Sequence, residues 1–159
     1  MKRLVSFLSG LVLGMIVLTG MLYYFMPHIL ISTHKSSYDF NTTIRKIEYK
    51  IASMGWQHKK TLYVSNEIAA KTGGRLAGDV AVIELFKCSY AAAVLRKEGN
   101  RYVASAMPCR IAVWEDDRGD VHVSRINSGL AGYRFFGDAG LVMRKKINSE
   151  IEEIVRQIL

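Results

Sequence analysis

The feature that most constrains this chain is a long uncharged stretch near its N-terminus. No Asp, Glu, Lys or Arg occurs between Arg3 and Lys35, and residues 4–26 are almost wholly apolar. A bilayer core about 30 Å thick is crossed by about 20 helical residues. The stretch therefore predicts one N-terminal transmembrane helix, closed by Pro27, so that residues 1–27 form a membrane anchor.

A cleaved secretory signal is the alternative interpretation of this stretch. The apolar core of such a signal has about 7–15 residues and ends at a small-x-small cleavage site, and neither feature is present here. Lys2 and Arg3 flank the near end, whereas only Lys35 follows the far end closely. The positive-inside rule then predicts a single-pass protein of the bacterial inner membrane, with a cytoplasmic N-terminus and a periplasmic domain.

Small residues recur every four positions in the predicted anchor, at Ser6, Gly10 and Gly14. This spacing lets two membrane helices approach closely, which predicts packing against a second copy or against another membrane subunit. The competing interpretation is chance, because glycine is common in membrane helices. The sequence favours neither interpretation over the other.

The rest of the chain predicts a short connector over residues 28–37 and one domain over residues 38–159. A chain of this length builds a single hydrophobic core. The patterns predict helices over 39–54, 67–71 and 89–98 and from Asp138 onward, and strands over 61–64, 79–88, 110–115 and 121–126. This order predicts an α+β fold, a two-layer sandwich of a small sheet with packed helices. The strand over 79–88 is apolar on both faces, so we expect it to be central and covered on both sides.

The net charge of +8 raises the question of nucleic acid. The basic residues are scattered, and the densest cluster, Arg144 to Lys146, lies on a predicted helix beside glutamates. A solvated helix face is the first interpretation, and attraction to anionic lipid headgroups is the second. We expect the lipid membrane to be a partner and nucleic acid not to be one, because a periplasmic domain rarely meets it.

One cluster of residues could carry chemistry: Glu84, Cys88, Met107, Cys109 and Arg110. Cys88 is predicted to end the central strand just before a helix N-terminus, where the helix dipole lowers the pKa of a thiol. Arg110 beside Cys109 would likewise favour the thiolate. Glu84 is predicted to lie on the same strand face as Cys88, in surroundings where a carboxylate needs a partner.

Four interpretations of the two cysteines stay open. They form a structural disulfide in the oxidising periplasm, or they act as a reactive pair that cycles between thiol and disulfide. Alternatively, Cys88 and Cys109, with Met107 and Glu84, bind a soft metal such as Cu(I), or zinc with a further ligand. Finally, both cysteines are inert and buried.

No pattern of an enzyme is legible in the sequence. The four histidines, His28, His34, His58 and His122, are dispersed, and His122 is interpreted as a solvated residue of a hairpin strand. No Ser-His-Asp arrangement, H-E-x-x-H motif or nucleotide-binding loop occurs. An enzyme is therefore the function class that the sequence favours least.

Several segments resemble one bacterial family closely. They are YDFNTTIRKIEYKIASMGW, VAVIELFKCSYAAAVL, SAMPCRIAVWE and VSRINSGL, in that order, and the box Met107 to Arg110 is the most specific part. On these segments the chain resembles the domain-of-unknown-function 302 family, including its membrane-anchored members. The resemblance implies a compact α+β fold that tends to form dimers, and it supplies no activity. The chain departs from the family pattern at Ser89, where an Asn-Pro or Lys-Pro follows the cysteine in many members.

Two functions are therefore expected. The first is a membrane-tethered periplasmic binding or accessory module, with a thiol-centred metal or redox site around Cys88 and Cys109. The second is a non-catalytic structural subunit of a larger membrane complex. This function is suggested by the stripe of Ser6, Gly10 and Gly14 and by the short connector.

Overall fold

The computed structural model describes residues 2–135 and 137–158, and the side chains of residues 2–6, 8, 9 and 27 lie outside that description. Its helices are α1 (Lys2–Leu30), α2 (Phe40–Ser53), α3 (Val64–Thr72), α4 (Cys88–Leu95), α5 (Ser128–Ala131), α6 (Gly137–Leu141) and α7 (Asn148–Arg156). Its strands are β1 (Ile31–Lys35), β2 (Gln57–Tyr63), β3 (Val80–Phe86), β4 (Cys109–Glu115) and β5 (Val121–Ile126). Two 3-10 segments (Glu98–Ala106 and Gly132–Arg134) and a π-helical segment (Val142–Ile147) complete the chain.

The uncharged N-terminal stretch forms one continuous helix. Helix α1 has 29 residues and continues through Pro27 to Leu30, so the expected end at Pro27 is wrong by three residues. Among the residues that the structure describes, no helix is both long and apolar enough to cross a membrane. The transmembrane anchor is thus not confirmed and stays a prediction. The side chain of Ser6, in the predicted packing stripe, lies outside the described residues, while Gly10 and Gly14 have open space beside them.

The segment expected to be a connector, residues 28–37, is mostly part of the folded domain. Strand β1 begins directly after α1 and pairs antiparallel with β5, from Ile31 opposite Ile126 to Lys35 opposite His122. Ser36 is buried and its hydroxyl lies 2.7 Å from that of Thr43 in α2. The expectation failed because this five-residue edge strand carries polar side chains, which conceal its backbone pairing from a sequence pattern.

The five strands form one antiparallel sheet in the order β1-β5-β4-β3-β2. The β4–β5 hairpin occurs where the sequence predicts it, and Gly119 supplies the positive φ of its turn. Strand β2 begins four residues earlier than predicted and α3 is longer than predicted, from Val64 to Thr72. The α+β fold is confirmed.

Helices cover one face of the sheet. On that face the strands contribute fully buried side chains to a core that also takes the apolar stripes of α2 and α7: Ala81, Ile83, Leu85, Ile111, Val113, Val123, Ile44, Ile47, Ile51 and Ile154. The alternate positions of β3, which include Val80, Val82 and Glu84, are only half-buried. The prediction that β3 is covered on both sides is therefore wrong, because the core helices pack on one side alone.

The helices that carry the core follow their sequence signals. The Asp39 side chain accepts a hydrogen bond from the Thr42 backbone N–H at 3.0 Å and begins α2, and Gly55 follows its end with φ of 70°. The helical segment predicted from Asp138 onward begins as α6 at Gly137 and continues through the π-helical segment into α7. A five-residue step separates the buried Val142 and Ile147 in the π-helical segment, and the wider turn keeps both on the core side.

Candidate functional site

The sheet separates the residues that the sequence groups together. Cys109 and Arg110 are adjacent in β4, so their side chains point to opposite faces. Cys109 is paired with Leu85 on the covered face, and Arg110 is paired with Glu84 on the open face. Their adjacency in sequence therefore does not place the two side chains on one face of the sheet.

The open-face pair is an ordinary surface ion pair. The Arg110 guanidinium donates from Nε to Glu84 Oε1 at 3.1 Å, and the two side chains are 59% and 30% exposed. Arg110 is therefore the partner that we expected the Glu84 carboxylate to have. Such pairs contribute little to stability because water screens them. Glu84 lies on the open face, so the sheet separates its side chain from that of Cys109.

The two cysteines are free thiols in the structure. Cys88 is exposed and is the first residue of α4, whereas β3 already ends at Phe86. Cys109 begins β4 and is half-buried against the core. The disulfide interpretation and the thiol–disulfide pair are thus not supported, because the cysteines belong to different surroundings.

Cys109 is a neutral thiol rather than an activated one. Burial raises its pKa to about 11, because an apolar environment disfavours the charged form. The expectation that Arg110 stabilises a thiolate here is wrong, since the guanidinium lies on the other face with Glu84. Across residues 2–135 and 137–158, no three His, Cys, Asp or Glu side chains form a group that could hold a metal ion.

A cavity of about 320 Å³ lies beside Cys109 at the end of the sheet where β4 begins and β5 ends. Its walls come from the Glu98–Ala106 helix, the start of β4 and the last helices, and they are mostly apolar. The side chains that define it include Val94, Val103, Met107, Cys109, Met143 and Ile151. This volume lies in the range of small-molecule sites, which are typically about 300–1,000 Å³.

Gly140 allows two segments of the cavity wall to pack closely against each other. A Cβ atom on Gly140 would collide with the carbonyl oxygens of Phe135 and Gly132. Ala131 and Phe135, on either side of the Gly132–Arg134 turn, both line the cavity. The close approach of α6 to this turn therefore requires glycine and shapes the cavity.

A polar cluster that the sequence analysis missed lies at the same end of the sheet. The Glu150 carboxylate accepts hydrogen bonds from Trp56 Nε1 at 2.7 Å, Lys87 Nζ at 2.7 Å and the Tyr90 hydroxyl. Lys87 also donates to the Met54 carbonyl at 3.1 Å. One sequence signal was available, because Glu150 falls three residues after Ile147, within the apolar stripe of the last helix.

The contacts in this cluster shift two pKa values. Burial, together with the hydrogen bond to Glu150, raises the pKa of Tyr90 to about 12. Burial alone would raise the pKa of Glu150, but the hydrogen bonds from Lys87, Tyr90 and Trp56 outweigh it and lower that pKa. With three donors on one carboxylate, the cluster is internally satisfied, and it ties α7 to the β3–α4 junction.

The opposite end of the sheet carries the β4–β5 turn. There His122 stacks on Trp114, with ring centroids 4.4 Å apart, and its Nε2 lies 3.3 Å from Asp116 Oδ2. Burial would raise the pKa of Asp116, but hydrogen bonds from the backbone of Asp120 and Arg118 and from His122 lower it. The sequence predicted a solvated His122. In the structure this side chain is instead half-buried and contacts Trp114 and Asp116.

Comparison with known proteins places this fold. Residues 32–158 match the family described as "Domain of unknown function DUF302". The chain belongs to this family. The match begins inside β1, which agrees with the finding that this strand is part of the domain.

A solved structure of an uncharacterized conserved DUF302 protein from Bacillus stearothermophilus has the same fold, with a TM-score of 0.72 at 18% identity. The alignment covers 82% of this chain and 99% of the Bacillus chain. At this identity the likeness supports the fold of the DUF302 domain alone. No curated protein matches this chain.

Proposed function

We propose that this DUF302 protein is a membrane-tethered module of the bacterial periplasm that binds a small, largely apolar ligand. The observation that carries the proposal is the cavity of about 320 Å³ beside Met107 and Cys109. Apolar walls with few polar groups are the usual composition of a small-molecule site. The proposed binding site thus includes Cys109, as the sequence predicted, but it does not include Cys88.

The neutral state of Cys109 argues for a lining role rather than a metal or redox role. A metal ligand or nucleophile acts as the thiolate, which a pKa of about 11 disfavours. Met107 and Met143 add two flexible, polarizable side chains that adapt to ligands of varied shape. The site therefore suits an apolar molecule.

Two observations support the tether: the N-terminal sequence and the exposure of the apolar side chains of α1. Side chains along the outward part of α1, such as Leu13, Ile16 and Val17, are 60–64% exposed, and an aqueous helix of this composition would be unstable as a monomer. Lys2 and Arg3 precede the apolar stretch, which supports a cytoplasmic N-terminus. We therefore place the DUF302 domain at the outer surface of the inner membrane.

Binding is tested with the full chain in mild detergent and the apolar dye N-phenyl-1-naphthylamine, whose fluorescence rises in apolar sites. Ala106 lines the cavity and is exposed, so Ala106→Trp fills the cavity without disturbing the core. We expect this variant to weaken dye binding by about tenfold, which corresponds to about 1.4 kcal/mol.

Ala104→Trp is the matched control, because Ala104 is an exposed alanine of the same 3-10 helix and does not line the cavity. It should bind the dye like the wild type. Equal dye binding by all three proteins, or none by the wild type, would contradict the proposed site.

The tether is tested separately by washing membranes of expressing cells with alkaline carbonate. The full chain should stay in the pellet, and protease added to spheroplasts should digest the DUF302 domain. Release of the chain into the wash would contradict the membrane tether. Protection of the domain from the protease would contradict its periplasmic orientation.

The second candidate is a structural subunit of a larger membrane complex, and the open face of the sheet favours it. Val80, Val82, Ala112 and Trp114 form a half-buried apolar patch on that face. Crosslinking in intact membranes distinguishes the two functions. A stable adduct larger than a dimer that disappears in Trp114→Ser would support the subunit, whereas a lone tethered module should yield none.

A further inference from the structure

The cavity lies next to the point where α1 joins the DUF302 domain. Ile126 lines the cavity and is paired with Ile31, the first residue of β1. The next residue, Asn127, donates its backbone N–H to the carbonyl of Leu30, the last residue of α1, at 2.8 Å. No linker separates the helix from the sheet. If residues 4–26 span the bilayer, only about 6 Å of helix lies between the membrane and this end of the domain.

The surface around this junction is apolar. Ile31 is 50% exposed, Ile126 is 59% exposed and Tyr133 is 68% exposed. Leu130, in α5 between the last two, is also exposed. Apolar side chains and tyrosines gathered in this way are typical of a surface that meets the headgroup region of a bilayer.

The same region is basic. Residues 127–147 contain Arg134, Arg144, Lys145 and Lys146 against the single acid Asp138, which forms an ion pair with Lys97. The Arg144 guanidinium lies 4.5 Å from the centroid of the Tyr133 ring. The segment also supplies Met143 and Ile147 to the cavity wall. Positive charge beside an apolar cavity matches a ligand with an anionic head and an apolar chain.

We propose that the cavity receives an acyl chain of an anionic phospholipid from the bilayer to which α1 tethers the domain. The apolar chain lies between Met107 and Met143, and the headgroup stays at the surface beside Arg134 and Lys145. This inference rests on the proposed function and names its ligand class. The source of the ligand is the membrane itself, because the cavity lies at the junction with α1.

The test uses the full chain reconstituted in vesicles of phosphatidylcholine and phosphatidylglycerol, at about three to one. A trace of either lipid carries a photoactivatable diazirine at the end of one acyl chain, and mass spectrometry locates the adducts. With the phosphatidylglycerol probe, we expect adducts on cavity residues such as Met107 and Met143. Ala106→Trp should reduce these adducts at least about fivefold, and Ala104→Trp should leave them unchanged.

The headgroup preference has its own matched pair of variants. Arg134→Gln with Lys145→Gln removes two exposed cations from the basic region, and Lys71→Gln with Arg75→Gln removes two exposed cations elsewhere. The first pair should lower cavity labelling by the anionic probe about threefold or more, because cations near a bilayer surface attract anionic lipids. The second pair should not.

The outcomes separate the inference from the proposed function. Adducts confined to α1, in a protein that still binds N-phenyl-1-naphthylamine, would overturn the lipid inference and leave the binding site standing. Equal labelling by the phosphatidylcholine probe would overturn the anionic preference. Absence of both cavity adducts and dye binding would overturn the proposed function as well.

Discussion

The two faces of the sheet differ in the burial of the side chains that the same strands place on them. On the covered face, Ile83, Val113 and Val123 are fully buried and carry the core. On the open face, the neighbouring positions hold Val82, the ion pair of Glu84 and Arg110, and other half-buried side chains. One step along a strand therefore changes the environment of a side chain more than many steps along the chain do.

This alternation decides the chemistry at the start of β4. Cys109 lies on the covered side as a neutral thiol beside the cavity, whereas Arg110 lies in water with Glu84. Their adjacency in sequence suggests an activated thiolate, but period-two geometry places the sheet between them. Four predictions test the contrast between the faces.

The largest expected effect concerns thiol reactivity. A pKa of about 11, against an ordinary value of 9.0, leaves Cys109 with about a hundredfold less thiolate at pH 8 than an ordinary thiol, and only the thiolate reacts. Cys88 is exposed. We therefore expect iodoacetamide to label Cys88 at least about a hundredfold faster than Cys109, as measured by mass spectrometry over time. In guanidinium chloride the two rates should converge, and equal rates in the folded protein would place Cys109 outside the covered face.

The next effect concerns the cost of one matched truncation on each face. Val113 is fully buried and Val82 is half-buried, and both lie on central strands. Val113→Ala should lower the free energy of unfolding by about 2.5 kcal/mol, through lost burial and a cavity. Val82→Ala should cost less than about 1 kcal/mol, because its side chain is partly solvated already. Urea unfolding of the full chain in detergent measures both, and equal costs would mean that something covers the open face.

A third prediction compares Glu150 and Glu84, two carboxylates that each have a cationic partner. Glu150→Ala removes three hydrogen bonds at the edge of the core and leaves Lys87, which is 19% exposed, without its partner. Lys87 keeps only its hydrogen bond to the Met54 carbonyl, so the substitution should cost about 2 kcal/mol in the same urea experiment. Glu84→Ala, on the open face, should cost less than about 0.5 kcal/mol. Glu153→Ala controls for the loss of a helical acid, since Glu153 is 49% exposed and makes one pair of 3.7 Å.

The smallest effect is a pH dependence. The folded state lowers the pKa of Glu150 from its ordinary value of 4.5, so its contribution is present above that value and is lost as the pH falls through the lowered folded pKa. The urea midpoint of the wild type should thus drop more than that of Glu150→Gln between pH 7 and pH 3. Parallel curves for the wild type and Glu150→Gln would exclude a role for Glu150.

Much of the fold was predictable because local signals agree with it. The stripe of Phe40, Ile44, Ile47 and Ile51 is buried as predicted, and the cap at Asp39 and the turn ending in Gly119 lie where the sequence places them. The polar edge strand β1 was missed, since its pairing with β5 comes from backbone groups that side chains do not reveal. The site was predicted only in part: Met107, Cys109 and Arg110 line the cavity, whereas Cys88 and Glu84 do not.

Residue order alone was enough to predict the α+β class and the helical N-terminal stretch, because composition, periodicity and turn residues act locally. The family was indicated by the resemblance of several segments. Tertiary structure alone decided which face the helices cover, and therefore that Cys109 is neutral and Glu150 is bound by Trp56, Lys87 and Tyr90. These contacts join residues up to 94 positions apart. The burial of a group, and with it its pKa and its ligand, depends on what packs against it, and distant segments supply that packing.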